Sequence, residues 1–240
     1  MTPEQAREKI IFALDVSGLS EIDHFAKLLS GKVGMFKVGK ELFTSCGLEA
    51  VRTVQRHGGE VFLDLKYHDI PNTVAKAMVA AARLGVKLVN LHALGGFEMM
   101  RSAATEVYKE FGNDRSKLLA VTILTSSTDE TLRQVGITLP VQDMVVRLAR
   151  LAKEAGMDGV VASPLEIGQI RAACGSDFLI VTPGVRPAEA DIDDQKRIMT
   201  PGEAVAAGAD YLVIGRPIAK AADPVAAVEQ IIAEIVARRP

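Results

Sequence analysis

The chain has 240 residues, of which 48% are hydrophobic and 24% charged, and its formal net charge at pH 7 is −2. That balance excludes wholesale disorder, and without a basic excess it argues against a general binder of nucleic acid or of a membrane surface. Two cysteines, Cys46 and Cys174, are too few for a disulfide framework and lack zinc spacing.

Residues 1–9 are charged and lack the apolar centre of a signal peptide. No stretch approaches the ~20 apolar residues that span a bilayer. A cytoplasmic protein is expected. Apolar runs rich in β-branched residues predict eight strands, at 10–16, 35–39, 60–67, 88–93, 118–124, 159–163, 178–185 and 211–215. Helical patterns lie between them. Residues 75–84 are Ala-rich, and 141–155 place Val145, Leu148, Ala149 and Ala152 on one face. Pro71, Pro164, Pro201 and Pro224 stand where helices would begin, and Gly85, Gly156 and Gly208 where they would end. Strand–helix alternation repeated eight times predicts one (β/α)8 TIM barrel, an α/β fold, as a single domain over residues 1–240. A doubly wound open sheet is the competing architecture, but no G-x-G-x-x-G follows the first strand.

Chemistry in such a barrel belongs at the C-terminal strand ends. Five of the predicted ends carry charge: Asp15, Lys37, the run Asp64, Lys66 and Asp69, then Arg186 and Arg216. Asp64 and Lys66, two apart, would share the interior face of strand three. With Lys37 and Asp69 they form an alternating set that is neutral in sum and would keep Lys66 protonated, as a proton donor requires. A purely structural salt-bridge cluster is the competing reading, and such clusters rarely favour stability by themselves. Arg186 follows Gly184, and Arg216 follows Gly215, after strands seven and eight. That is a frequent place for a phosphate site, although either arginine alone would suit the surface. The polar segment 187–200 suits a loop that closes over a phosphate, or a solvated connector. Asp15 would meet sugar hydroxyls or cap the next helix. Thr125, Ser126, Ser127 and Thr128 would line the mouth or serve only as turn residues. His24, His57, His68 and His92 show no metal-ligand spacing, and His92 would face the interior if it faces anything functional.

Asp64-x-Lys66-x-x-Asp69-Ile70-Pro71-Asn72-Thr73 resembles the motif of the orotidine 5′-phosphate decarboxylase family. The likeness extends to Ala13-Leu14-Asp15, Phe36-Lys37-Val38-Gly39, Thr182-Pro183-Gly184-Val185-Arg186-Pro187 and Ile214-Gly215-Arg216-Pro217. The resemblance implies a TIM barrel that converts orotidine 5′-phosphate to UMP and CO2 in pyrimidine biosynthesis, with no cofactor and no metal. By it, Asp15 and Lys37 bind the ribose and Asp64 faces the substrate carboxylate. Lys66 delivers the proton to C6, and Thr125 or Ser126 contacts the pyrimidine. Arg186, Gln195, Gly215 and Arg216 grip the phosphate. Asp69 and Thr73 reach the neighbouring subunit's site, which implies a homodimer. A sister group, the Mg2+-dependent 3-keto-gulonate-phosphate decarboxylases and hexulose-phosphate synthases, shares Asp-x-Lys-x-x-Asp but carries an acid where this chain has Lys37. A barrel that binds a nucleotide without turning it over is the non-catalytic alternative.

Overall fold

The computed structural model describes residues 1–186 and 199–238. In chain order the elements are α1 (Pro3–Glu8), β1 (Ile10–Leu14), α2 (Leu19–Leu29), β2 (Met35–Gly39), α3 (Lys40–Cys46), α4 (Leu48–Arg56), β3 (Val61–Tyr67), α5 (Pro71–Ala82), β4 (Leu88–His92) and α6 (Gly96–Phe111). They continue with β5 (Lys117–Val121), α7 (Asp129–Gln134), α8 (Val141–Glu154), β6 (Gly159–Val161), α9 (Ile167–Cys174), β7 (Leu179–Pro183), α10 (Pro201–Ala206), β8 (Tyr211–Ile214), α11 (Arg216–Ala219) and α12 (Pro224–Ala237). The strands pair in parallel in sequence order, and β8 returns to β1, so the barrel is closed.

Local chemistry places the helices. Pro71, Pro201 and Pro224 open α5, α10 and α12, where the missing N–H costs no helical hydrogen bond. Pro164 opens a short 3-10 turn before α9. Thr128, Thr200 and Asp223 accept backbone N–H groups at the starts of α7, α10 and α12. Val145, Leu148, Ala149 and Ala152 are all buried on α8, as their spacing predicts.

Strand periodicity splits the core in two. Residues pointing outward pack against the helices. Those pointing inward, among them Ile11, Met35, Phe62, Leu88 and Leu119, fill the barrel below its mouth. Six of the eight predicted strands run past the observed ladder at its C-terminal end. Ile123, for example, remains buried although β5 ends at Val121. An apolar run records burial, and burial continues where pairing stops.

β3 contains the main irregularity. Leu63 pairs with Val89 and Tyr67 with Leu91, so four residue steps on β3 face two on β4. This is a bulge, and within it Lys66 adopts φ 52°, the one positive φ outside glycine among the described residues. No described helix is long and apolar enough to cross a membrane.

Candidate active site

The inward positions of β1, β2 and β3 change from apolar to charged at the C-terminal mouth. The Lys37 ammonium lies 3.2 Å from Asp15 Oδ1 and 3.7 Å from Asp64 Oδ2. The Lys66 ammonium lies 2.5 Å from Asp64 Oδ1. Asp15, Lys37, Asp64 and Lys66 therefore form one chain of alternating charge, neutral in sum. Lys66 meets Asp64 as the two-residue spacing predicts, but it does so from the bulge and not from a regular strand.

Asp64 is buried, which by itself raises a carboxyl pKa. The Lys37 and Lys66 ammoniums and the hydrogen bonds from Lys66 and Asn90 outweigh that penalty and hold the group below its usual value. It is a carboxylate at neutral pH. The side chain of Asn90 was not singled out by the sequence reading. It is fully buried on β4, donates from Nδ2 to Asp64 Oδ1 at 2.6 Å, and accepts the Lys66 backbone N–H on Oδ1 at 2.8 Å. An amide within the otherwise apolar run Leu88–Leu91 was the available signal, since a buried amide needs partners.

Two cavities adjoin this network, of about 230 and 160 Å3, and both are bordered by Lys37, Pro183 and Val213. The larger holds Asp64, Lys66, Thr125 and Ser126 among apolar walls that include Phe62, Val121 and Ile123. The smaller holds Asp15, Gly184, Arg186, Gly215 and Arg216. Arg186 is only 7% exposed, and its backbone N–H donates to Met199 O at 3.2 Å. Gly215 lies against β1: a Cβ there would stand 3.0 Å from Asp15 Oδ2 and 3.2 Å from the Ala13 Cβ. A larger residue would press on the carboxylate that holds Lys37.

Most of the expected site residues thus converge on one mouth. Asp15 does not cap α2, whose N-cap is Gly18. The hydroxyl cluster divides, with Thr125 and Ser126 at the cavity and Thr128 capping α7. Asp69 and Thr73 are exposed and border neither cavity of this chain. Asp69 accepts the Ile70 N–H at 2.6 Å, and Thr73 lies in the first turn of α5. Gln195 and most of the expected closing segment fall outside the described residues. His92 does face the mouth region, with its ring 5.6 Å from that of His68. Its buried Nδ1 has no hydrogen-bond partner among the described residues. Burial, then the nearby His68, Lys40 and Lys66, lower its pKa to about 4, so the ring is neutral at pH 7.

Chemically, the larger cavity offers a fixed ammonium beside a fixed carboxylate against an apolar wall, and the smaller is lined by Arg186 and Arg216 together with Gly184 and Gly215. A flat ring at one end and an anion at the other match that pair. Comparison with known proteins identifies the family. The family model described as "Orotidine 5'-phosphate decarboxylase / HUMPS family" matches residues 8–231. The orotidine 5'-phosphate decarboxylase of Pelobacter propionicus is 74% identical over 240 residues, 100% of both chains. That of Geobacter sulfurreducens is 68% identical over 238 residues, 99% of this chain and 100% of its own. The crystal structure of orotidine 5'-phosphate decarboxylase from Lactobacillus acidophilus has a TM-score of 0.83 at 40% identity, covering 94% of this chain and 98% of that one. The Pyrococcus horikoshii enzyme has a TM-score of 0.75 at 27% identity, covering 95% and 99%. Over nearly its whole length, then, the chain belongs to the orotidine 5′-phosphate decarboxylase / HUMPS family.

Proposed function

We propose that this chain, acting as a single barrel domain in the cytoplasm, converts orotidine 5′-phosphate to UMP and CO2. The observation that carries this reading within the family is Lys37. Its ammonium stands between Asp15 and Asp64 at the end of β2, where the Mg2+-dependent sister enzymes would need an acid. A cation so close to both carboxylates opposes a divalent ion electrostatically.

In this reading the pyrimidine occupies the larger cavity beside Thr125 or Ser126. The ribose hydroxyls meet Asp15 and Lys37, and the phosphate meets Arg186, Gly215, Arg216 and Gln195. The C6 carboxylate points at Asp64. Cleavage of the C6–carboxylate bond releases CO2 and leaves the electron pair on C6, in the ring plane, where the π-system cannot delocalise it. The Lys66 ammonium stabilises that pair as it develops and then donates a proton to C6. Solvent returns the proton to Lys66. A charge already held in place needs no reorganisation during the step, which is how electrostatic stabilisation lowers the barrier. Asp64 also repels the substrate carboxylate, and loss of neutral CO2 relieves the repulsion. Phosphate binding, remote from C6, supplies energy that holds the reacting end in place.

The test is the loss of orotidine 5′-phosphate absorbance with purified protein, with and without excess EDTA. Rapid loss in both is expected. Lys66→Ala should lower kcat by at least ~10^4-fold, since it removes a charge-stabilising group and the proton donor together, while UMP still binds. Loss of turnover with EDTA, or near-normal turnover in Lys66→Ala, would overturn the assignment.

A further inference from the structure

Lys66 is held in an unusual way. A strand lysine at φ 52° is in the left-handed region, which costs about 1–2 kcal/mol outside glycine. It persists only where surrounding groups fix it. The bulge also removes the Lys66 backbone N–H from regular ladder pairing, so that donor needs another acceptor. Asn90 Oδ1 is that acceptor, at 2.8 Å. The same amide turns its Nδ2 to Asp64 Oδ1 at 2.6 Å, the oxygen that also receives the Lys66 ammonium at 2.5 Å. One buried side chain therefore fixes both ends of the Lys66–Asp64 unit: the backbone from which the lysine springs and the carboxylate to which it points.

We propose that Asn90 is a positioning residue, whose amide sets the bulge conformation of Lys66 and the orientation of Asp64 and thereby aims the ammonium at the reacting carbon. This rests on the decarboxylase reading of the site. The amide uses its acceptor and its donor on different groups, so neither an apolar residue nor a carboxylate can replace it. Among the described residues Asn90 bonds Asp64 and Lys66 on β3, and Asp64 is met in turn by Lys37 on β2; His92 stands two residues further along β4, and on the other side β5 presents Leu119, its register partner.

Two variants test the idea. Asn90→Ala should lower kcat by roughly 10–100-fold, the scale of an ångström misplacement. KM and the UMP dissociation constant should stay within about threefold, because the phosphate grip is untouched. Asn90→Asp keeps the shape and the acceptor but can donate to Asp64 only when protonated. Two carboxyl groups this close share a proton, and one of them titrates well above its usual range. The kcat of Asn90→Asp should therefore recover as pH falls and drop as pH rises, a step that the parent lacks. If Asn90→Ala does not fold, the near-isosteric Asn90→Asp decides alone. Parent-like kcat in Asn90→Ala, or a parent-like pH profile in Asn90→Asp, overturns the proposal. A parent protein that consumes no orotidine 5′-phosphate would instead overturn the reading on which it rests.

Discussion

At the scale of the residue, the charged groups of the mouth explain one another, but His92 does not share in that balance. Its folded pKa of about 4 lies below the ordinary 6.5, first because of burial and then because His68, Lys40 and Lys66 are near. Between those two values the unfolded chain binds a proton at this position and the folded chain does not. Stability is thus fully present above pH 6.5 and falls as pH drops toward 4. His92→Gln should make the decline in Tm across that window shallower than in the parent, measured by thermal melts at pH 7, 6, 5 and 4. An identical slope would mean that the folded ring takes up its proton normally. The residue scale also marks a limit of sequence reading. Asp64, Lys66, Lys37 and the two arginines were legible, because charge within apolar runs has few cheap explanations. Asn90 was not recognised, since an uncharged amide in a strand shows its role only when its two partners are located.

At the scale of the element, strands were legible as β-branched runs, and their ends were not. The bulge in β3 was also hidden: the spacing of Asp64 and Lys66 fits a regular strand, and only the pairing with β4 reveals the two extra residues. Gly47 divides the segment between β2 and β3 into α3 and α4, a break that the helical patterns did not announce. The end of the barrel opposite the site is tied by side chains that sequence analysis passed over. Arg171 of α9 pairs with Asp210 and donates to the carbonyls of Gly175, Ser176, Phe178 and Gly208. Asp210 in turn accepts the Ile180 N–H at 2.8 Å. This arginine joins α9 to the starts of β7 and β8. Arg171→Ala should destabilise by about 3–5 kcal/mol, because it leaves Asp210 and several carbonyls without their donor. At roughly 2–4 °C per kcal/mol for a chain of this size, Tm should fall by about 6–20 °C. Arg171→Lys should recover only part of this, lacking the planar fork. Turnover at 25 °C should remain near that of the parent, since the site is at the other end. A Tm within 2 °C of the parent in calorimetry would show that the cluster contributes little.

At the scale of the whole molecule, the barrel, its closure and the family were all legible, the first from alternation and the last from motifs at the strand ends. Asp69, just before α5, and Thr73, in its first turn, are exposed and line neither cavity of this chain. The family resemblance implies a homodimer in which each is lent to the neighbour's site. If so, Lys66→Ala and Asp69→Ala chains, each inactive alone, should regain activity when mixed. Random pairing makes half of the dimers mixed, each with one intact site, so about a quarter of parental activity is expected. No recovery after exchange, confirmed by mass spectrometry, would place Asp69 in its own chain's site or outside catalysis.

The closed ladder has a further consequence. With β8 paired to β1, every strand of the barrel has a neighbour on each side, and among the described residues the barrel offers no row of unsatisfied N–H and C=O groups on which a foreign strand could template itself. The hazard belongs instead to the interval before closure, when β1 is already made and β8, the last strand synthesised, is not. A growing chain in that state exposes Ile10–Leu14 as a bare apolar margin, and aggregation during synthesis should begin there.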